Sequence, residues 1–363
     1  MNNINQKIPE GWSVKKLGEI SQVITGSTPQ TLDVTNYGKE FLFVSPADIN
    51  DNVKYITDTT TKLSSKGFSL CRIIKKGSPM FVCIGSTIGK TALAGIDLAT
   101  NQQINSCIVK NCINNEFLYY NLSFQSNKIR LLAGEQAVPI INKSTFEKIK
   151  LSIPPLAEQE KIALVLGTWD EAIEKLSNLI EQKKLLKKGL MQKLLTGKTR
   201  LSGFTQPWKE VKLGKIAEFV KGKQLNKLDM VETGIYPVLN GGITYSGYTD
   251  DWNTEKDTIT VSEGGNSCGY INYVKEKFWC GGHCYVVNNI KENKLFLYHL
   301  LKFNEQDIMK LRVGSGLPNI QVSSLNKFKI YIPSDTSEQQ AIADVLSTAD
   351  DEINLLNQKL EAL

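Results

Sequence analysis

The sequence predicts an α+β protein in which two similar β-rich domains are separated by two long antiparallel, coiled-coil-like helices, in a pseudo-twofold internal repeat. Three observations support this fold class. The chain of 363 residues resembles itself at a spacing of about half its length. Short apolar and β-branched runs, separated by Gly, Asn, Asp and Ser, fill most of each copy. Each copy then ends in a segment without proline whose apolar residues follow a helical period.

The internal repeat is defined by landmarks that recur in the same order. At an offset of 196 residues, the opening of the first copy realigns without a gap on the second, with Trp12, Leu17, Gly18 and Gly26 matching Trp208, Leu213, Gly214 and Gly222. Later landmarks, including Phe117 with Phe296 and Pro154 with Pro333, recur 179 residues on. A repeat of roughly 180 residues has the size of a whole domain with a connecting element.

These landmarks predict four regions. The first β-rich domain is expected over residues 1–153, a central long helix over 154–200, the second β-rich domain over 201–333 and a distal helix over 334–363. The central helix continues well past Gln182, whereas the distal copy stops at Leu363, which is equivalent to Lys183. We therefore interpret the distal helix as a truncated copy of the central one.

Both helical segments carry apolar residues at alternating spacings of four and three, which is typical of a coiled-coil seam. The predicted seam consists of Ile162, Leu166, Trp169, Ile173, Leu176 and Ile180 in the central helix and of Ile342, Leu346, Ile353, Leu356 and Leu360 in the distal helix. Because each helix presents such a stripe, we expect the two to pack lengthwise against each other. At ~1.5 Å per residue the central helix would span roughly 60 Å, more than the diameter of either domain.

The composition favours an ordinary cytoplasmic protein. With 41% hydrophobic and 22% charged residues, the chain can bury two sizeable cores. Residues 1–7 are polar, and no apolar run is long enough to cross a membrane. The seven cysteines form an odd set without framework spacing, as expected for reduced thiols. A net charge of +6 is compatible with an anionic partner.

The motifs, in their order, spacing and duplication, resemble the specificity (S) subunits of type I restriction-modification enzymes. The resemblance covers nearly the whole chain and depends on Pro9-Glu10-Gly11-Trp12 with Leu17-Gly18, on the Ile-Pro-Pro-Leu-Ala-Glu-Gln-Glu run at 153–160, and on Leu194-Leu195-Thr196-Gly197. It implies two target-recognition domains, each reading one half of an asymmetric bipartite site in double-stranded DNA. It also implies that the helices set the unread gap and dock modification (methyltransferase) subunits, two of them expected.

The chain is expected to be non-catalytic. A DNA adenine methyltransferase needs an Asn/Asp-Pro-Pro-aromatic tetrad, but the only Pro-Pro pair is followed by Leu156. The resemblance assigns methylation to the modification subunits and cleavage to a restriction (motor) subunit of the same complex. It therefore implies that S-adenosylmethionine, ATP and Mg act in partner subunits and that this chain binds no cofactor itself.

Residues 85–91 offer an alternative, because they follow an apolar run and end in Gly-Lys-Thr like a phosphate-binding loop. That loop needs four residues between its glycines, and only three separate Gly85 from Gly89. The second copy keeps both glycines, as Gly265 and Gly269, but loses the Lys-Thr pair. We interpret both as a shared turn, and a nucleotide-binding enzyme remains the less favoured alternative. A stand-alone or decoy DNA-binding protein is the other alternative.

Four possible zinc ligands lie close together in the second copy, namely Cys268, Cys280, His283 and Cys284. In a strand, the adjacent His283 and Cys284 would point to opposite faces, and paired Cys-x-x-Cys knuckles are missing. We therefore predict no metal site. The only other histidine is His299, so there is little material for histidine-based catalysis.

Candidate DNA-reading residues are polar side chains in turns that interrupt the β-rich regions, because base edges are reached by Arg, Lys, Asn, Gln, Ser and Thr. In the first domain they are Ser86, Thr87, Lys90, Asn101, Gln102, Gln103, Asn105 and Arg130. In the second domain they are Lys221, Lys223, Asn240, Asn266, Ser267, Tyr270, His283 and Arg312. The competing interpretation is that such side chains satisfy the backbone of their own turns.

Overall fold

The computed structural model describes residues 9–50, 53–134, 138–314, 316 and 318–363, so the polar residues 1–7 lie outside the described residues. The chain divides into two compact units, Met1–Glu174 and Lys175–Leu363. Within the described ranges, none of the helices is both long and apolar enough to cross a bilayer.

The first unit is a β-rich domain followed by the beginning of a long helix. In chain order the elements are β1 (Ser13–Lys16), α1 (Leu17–Ile20), β2 (Ser21–Thr25), β3 (Tyr37–Val44), β4 (Tyr55–Ile56), β5 (Thr61–Leu63), α2 (Ser65–Ser69), β6 (Ile73–Ile74), β7 (Pro79–Val82), β8 (Thr91–Ala94), β9 (Leu98–Thr100), β10 (Ile104–Val109), α3 (Asn115–Phe124), α4 (Ser126–Arg130), α5 (Lys143–Glu147), β11 (Lys150–Ile153) and α6 (Leu156–Leu194). Helix α6 continues into the second unit.

The central sheet of the first unit has the strand order β2-β10-β7-β8-β4 and is buried on both faces. Successive residues of β7 alternate between two cores, as strand geometry requires. Phe81 packs with Phe117 and Phe146 of the helices, whereas Met80 and Val82 face a second core. A four-stranded sheet, β5-β3-β9-β6, and the pair β1-β11 complete the domain.

The second unit repeats this plan. Its elements after α6 are β12 (Trp208–Lys212), α7 (Leu213–Ile216), β13 (Glu218–Lys221), β14 (Tyr236–Leu239), β15 (Gly247–Thr249), β16 (Thr258–Ser262), β17 (Ile271–Val274), β18 (Trp279–Cys280), β19 (Cys284–Asn288), α8 (Lys294–Phe303), α9 (Glu305–Met309), α10 (Val322–Lys327), β20 (Lys329–Pro333) and α11 (Thr336–Glu361). Its sheets are β12-β20, β13-β19-β16-β17 and β15-β14-β18.

The two units share their connectivity strand by strand. The pair β1-β11 corresponds to β12-β20, the order β2-β10-β7-β8 to β13-β19-β16-β17, and the parallel pair of β3 with β9 to that of β14 with β18. The predicted α+β class with a duplicated β-rich domain is therefore confirmed.

A buried glutamine fixes the start of each long helix and accounts for the repeated Glu-Gln dipeptide. The Gln159 side chain accepts a hydrogen bond from the Asn114 backbone N–H (2.9 Å) and donates one to the Pro154 carbonyl (2.9 Å). Gln339 does the same with the Asn293 N–H (3.0 Å) and the last carbonyl of β20 (3.0 Å). Each glutamine therefore satisfies backbone groups that burial would otherwise leave unpaired.

Within the second unit, the later part of α6 runs antiparallel to α11. Lys183 forms an ion pair with Glu352 (2.6 Å) and Lys187 forms one with Asp350, so partners descend along α11 as residues ascend along α6. These lysines follow Ile180, the last predicted seam residue of the central helix. They therefore add ion pairs to the contact between the two helices.

The predicted seam positions occupy three different environments. Ile180, Ile342, Leu346 and Ile353 are buried, Ile162, Leu176, Leu356 and Leu360 are half-buried, and Leu166, Trp169 and Ile173 are exposed. Ile342 and Leu346 differ from the prediction, because they belong to the core of the second domain, where the first turns of α11 pack on α8. A heptad pattern identifies a face that requires burial but does not identify what covers it.

Candidate nucleic-acid interface

Both domains carry the same turn after a central strand. Gly85 and Gly89 follow β7 with φ of 94° and 104°, and Gly265 and Gly269 follow β16 with φ of 77° and 91°. Such left-handed backbone favours glycine, because glycine has no Cβ. In each turn the second glycine N–H returns to the last carbonyl of the preceding strand, at 3.1 Å and 2.8 Å. The turn therefore belongs to the framework that the two domains share.

Lys90 does not project from this turn towards a ligand. Its ammonium group donates a 2.8 Å hydrogen bond to the Ile49 carbonyl of the same domain, and the side chain is half-buried. A phosphate-binding loop needs its lysine free to reach the phosphates. The geometry thus counts against the nucleotide-binding alternative, and it also removes Lys90 from the side chains that are free to contact DNA.

A second loop lies directly beside the turn in each domain. At Gly26, after β2, an added Cβ would lie 2.1 Å from the Asn101 carbonyl oxygen, and at Gly222, after β13, one would lie 2.4 Å from that of Gly281. Only glycine allows the two chain segments to approach so closely. These two glycines therefore allow the loop after β2 or β13 to pack against the loop before β10 or β19.

In the first domain, several predicted residues gather at this place. Gln102 is exposed and accepts a hydrogen bond from the Thr28 hydroxyl (2.5 Å). The Asn101 amide donates to the Gln103 side chain at 2.9 Å, and the Gln103 amide donates to the Ile84 carbonyl at 3.4 Å. Ser86 is exposed and Thr87 half-buried in the neighbouring turn. The amides are thus held in fixed orientations next to one another.

Asn105 does not belong to this exposed group and corrects the prediction. It is 3% exposed, and its side chain accepts from the Thr25 hydroxyl (2.7 Å) and donates to the Cys83 Sγ (3.2 Å). The first four residues of β10 are all buried, so Asn105 lies in the interior whichever face of the strand it occupies. Burial raises the pKa of Cys83 to about 12, so this thiol remains protonated and inert.

In the second domain, charged side chains meet beside the turn. Lys221 forms a 2.6 Å ion pair with Glu263, and the Tyr285 hydroxyl donates to the same carboxylate at 3.0 Å. His283 Nδ1 lies 3.8 Å from Glu263, and the imidazole is exposed. Burial, followed by the adjacent carboxylate, raises the pKa of Tyr285, so its hydroxyl remains a donor. The group can offer both donors and an acceptor.

The hydrogen-bonded side chains around Asn105 and those around Glu263 occupy equivalent backbone positions in the two domains. Thr25 pairs with Asn105 across β2 and β10, just as Lys221 pairs with Tyr285 across β13 and β19. Cys83 and Glu263 also correspond. The Cys83 N–H, directly after β7, donates to the Gln103 carbonyl (2.8 Å), and the Glu263 N–H, directly after β16, donates to the His283 carbonyl (2.9 Å). Thr25, Cys83 and Asn105 of the first domain therefore occupy the positions of Lys221, Glu263 and Tyr285 in the second, and of these Cys83, Asn105 and Tyr285 are buried.

Other predicted residues of the second domain have mixed placements. Ser267 is half-buried, and its hydroxyl donates to the Gly241 carbonyl at 2.6 Å, while the Asn240 side chain accepts from the His283 N–H at 3.4 Å. These residues satisfy their own loops. Tyr270 is half-buried under the Lys302 ammonium, 3.8 Å from its ring centre. The remaining predicted residues are exposed, namely Lys223, Asn266, Arg312 and, in the first domain, Arg130.

The four possible zinc ligands are not assembled into one site. Cys280 and Cys284 lie in one small core and Cys268 in another. The His283 side chain is 62% exposed, whereas the three cysteines are buried. Over the described ranges, no group of three or more His, Cys, Asp or Glu side chains is placed to hold a metal ion.

The structure places further residues at these surfaces that are not among the predicted ones. Thr28 touches Gln102, and Gln224 lies 2.8 Å from the position that a Cβ of Gly282 would take. The signal was present in the repeat, since the offset of 196 that matches Gly26 with Gly222 also matches Thr28 with Gln224. Glu263 carried no such signal, because it aligns with a buried cysteine.

Comparisons with known proteins agree with this architecture. The protein family described as the type I restriction modification DNA specificity domain matches residues 9–183 and 205–363. The type I restriction enzyme MjaIX specificity subunit from Methanocaldococcus jannaschii is 28% identical over 369 residues, covering 90% of this chain and 84% of that protein. The MjaVIII specificity subunit of the same organism is 22% identical over 391 residues, covering 98% of this chain and 90% of that protein.

Solved structures share the fold. A crystal structure of a type I restriction-modification S subunit from M. genitalium superimposes with a TM-score of 0.72 at 21% identity, covering 99% of this chain and 94% of that one. A chain from a study of complex assembly and conformational transition of the type I restriction-modification system gives a TM-score of 0.57 at 18% identity, with 98% and 94% coverage.

Proposed function

Because the chain belongs to the type I restriction modification DNA specificity family, we propose that it is the DNA sequence-recognition subunit of a type I restriction-modification complex. Each target-recognition domain reads one half of an asymmetric bipartite site. The surface that reads is formed in each domain by the glycine turn, the loop before β10 or β19, and the loop after β2 or β13.

The side chains beside the shared turn are the observation that carries this proposal. The two domains share a backbone framework, yet it presents the amides of Asn101, Gln102 and Gln103 in the first domain and the side chains of Lys221, Glu263 and His283 in the second. A carboxylate can accept from cytosine N4, and amides can pair with adenine N6 and N7. Two frameworks of the same shape with different side chains favour two different half-sites, which makes the whole target asymmetric.

The helices supply the second part of the proposed function. In the second unit, the Lys183–Glu352 and Lys187–Asp350 ion pairs connect α6 to α11, and Ile180 and Ile353 of the same helices are buried. Such a helix pair is stiff along its axis and suits a spacer that fixes the unread gap. Its exposed faces suit the docking of modification subunits, with the restriction subunit joining through the complex. Methylation and cleavage, with S-adenosylmethionine, ATP and Mg, are then the work of those partners.

Co-expression with the modification subunit encoded beside this chain tests the proposal. Long-read detection of N6-methyladenine across a plasmid library is expected to give one two-part motif with a fixed gap. Replacing residues 20–150 by the same region of a relative should change one half of the motif and leave the other half and the gap unchanged. Co-purification of the two proteins without any methylated motif would contradict the proposal and favour the decoy alternative.

A further inference from the structure

The first unit contains an apolar groove of about 520 Å³ that the DNA-reading function does not use. It lies between α3, the beginning of α6, β11 and the residues that precede β1. Its apolar surface comes from Trp12, Phe117, Phe124, Ile162 and Leu166. Phe124 is 87% exposed, an unusual position for a phenylalanine on a domain surface. Exposed apolar surface of this kind is typical of a site that contacts another molecule.

The internal repeat shows what fills the equivalent groove in the second unit. There, Phe303 of α8 takes the place of Phe124, and Trp208 takes the place of Trp12. The end of α6 lies in this groove. Leu194 and Leu195 are 4% and 2% exposed within the domain core, and Leu190, Met191 and Trp208 pack against the same core. Phe303 is correspondingly half-buried.

A carboxylate beside each groove differs in the same way, because it is covered in the second unit and exposed in the first. Glu338 is fully buried, accepts from the Trp208 indole N–H (3.4 Å) and holds the Arg200 guanidinium through two hydrogen bonds of 2.8 Å and 2.6 Å. Glu158 accepts the equivalent bond from the Trp12 indole N–H (3.1 Å) but is exposed. The first unit thus presents both the groove and the acceptor of a contact that is complete in the second unit.

We infer that the groove of the first unit docks a helix end of a partner polypeptide with the chemistry of residues 190–200. This occupant has an apolar pair, a second apolar pair one turn later and an arginine five residues beyond. The apolar pairs would cover Phe124 and Leu166, and the arginine would form a bidentate pair with Glu158. Charge complementarity supports this choice, since a guanidinium matches the two oxygens of a carboxylate. The inference is independent of which bases the domains read.

A labelled peptide covering residues 183–201 provides the test. Titration with the full chain, followed by fluorescence anisotropy, is expected to give saturable binding. Phe124→Asp should weaken binding by at least about tenfold, because it places a charge in the apolar groove. Leu32→Asp is the matched control, since Leu32 is 88% exposed in the same unit and lies outside the groove, and it should leave the affinity unchanged.

The arginine contact has its own test. A peptide with Arg200→Gln should bind the wild-type chain about tenfold to a hundredfold more weakly, as expected for a lost hydrogen bond to a charged group. The same peptide should lose little further affinity on the Glu158→Gln chain, because the two changes remove one interaction. Fully additive losses would overturn the assignment of this pair.

Two results would overturn the inference as a whole. If Phe124→Asp leaves peptide binding unchanged, the peptide binds elsewhere, for example by displacing the end of α6 in the second unit. If the wild-type chain forms a dimer in sedimentation equilibrium and Phe124→Asp abolishes that dimer, the occupant is a second copy of this chain rather than a separate partner.

Discussion

At the residue scale, His299 is the buried ionisable group with the clearest consequence. Its side chain is 1% exposed, with Nε2 3.1 Å from the Ser347 hydroxyl and Nδ1 3.9 Å from Asp350. Burial, followed by the nearby Lys187 ammonium, lowers the pKa of His299 from 6.5 to about 4, against the opposing effect of Asp350. The histidine is therefore neutral in the folded protein at neutral pH.

The protein should lose stability in mild acid because of this residue. Between pH 6.5 and 4 the unfolded chain binds a proton at His299 that the folded chain does not, so the free energy of unfolding falls as the pH falls. The contribution is complete above pH 6.5, and its loss reaches at most about 3 kcal/mol near pH 4. In urea unfolding at pH 7 and pH 5, His299→Leu should reduce the pH-dependent loss by about 1–2 kcal/mol.

Leu301→Ala, at a buried position of the same helix, is the control for this measurement. It should lower the free energy of unfolding by similar amounts at pH 7 and pH 5, because leucine binds no proton. An unchanged pH dependence in the His299→Leu chain would contradict the prediction, because another group would then be responsible for the loss in acid.

At the element scale, the early and the later turns of α11 have different roles. Leu346 is completely buried in the core of the second domain, while Leu355, further along the same helix, is 52% exposed. Two charged residues, Asp350 and Glu352, connect the intervening turn to lysines of α6. The early turns of the helix therefore stabilise a domain, and the later turns form the helix pair.

Leu346→Ala should destabilise the protein by about 2–5 kcal/mol, because it removes buried methyl groups and leaves a cavity. Leu355→Ala deletes the same atoms from an exposed position and should change the free energy of unfolding by less than about 0.5 kcal/mol. Urea unfolding followed by tryptophan fluorescence measures both. Equal effects of the two substitutions would show that the burial of the early turns contributes nothing to stability.

At the scale of the whole molecule, the duplication turns one recognition framework into two independent readers. The glycine turns and close-packed loops are common to both domains, and the exposed side chains around them differ, with Gln102 in the first and His283 in the second. Contacts with phosphates position such a protein, and contacts with base edges select the sequence. Substitutions in one domain should therefore alter one half of the target only.

Gln102→Ala and His283→Ala test this independence. Each should weaken binding to the complete site by about 1–3 kcal/mol and relax the preference in one half of the motif, with the opposite half unaffected. Selection from a randomised DNA library at two salt concentrations would measure both effects. Gln340→Ala, at an exposed position on α11, is the control and should alter neither half. Relaxation of both halves by a single substitution would contradict the prediction.

The repeat, the fold class and the long helices follow from the sequence by itself. The sequence predicts the central helix over residues 154–200, and α6 extends over Leu156–Leu194. Such features depend on local periodicity, proline placement and the order of landmarks, all of which are recorded along the chain. The resemblance to the specificity-subunit family also depends on the order of these landmarks, which recurs in both copies.

Only the tertiary structure decided which polar and apolar groups are free to act. Asn105 is removed from the candidate surface by Thr25, which lies 80 residues away, and Glu263 enters it through Lys221, which lies 42 residues away. In the same way, the end of α6 fills one groove, while the equivalent groove beside Phe124 is open. The physical reason is that accessibility and charge pairing depend on neighbours across the fold, whereas periodicity depends on neighbours along the chain.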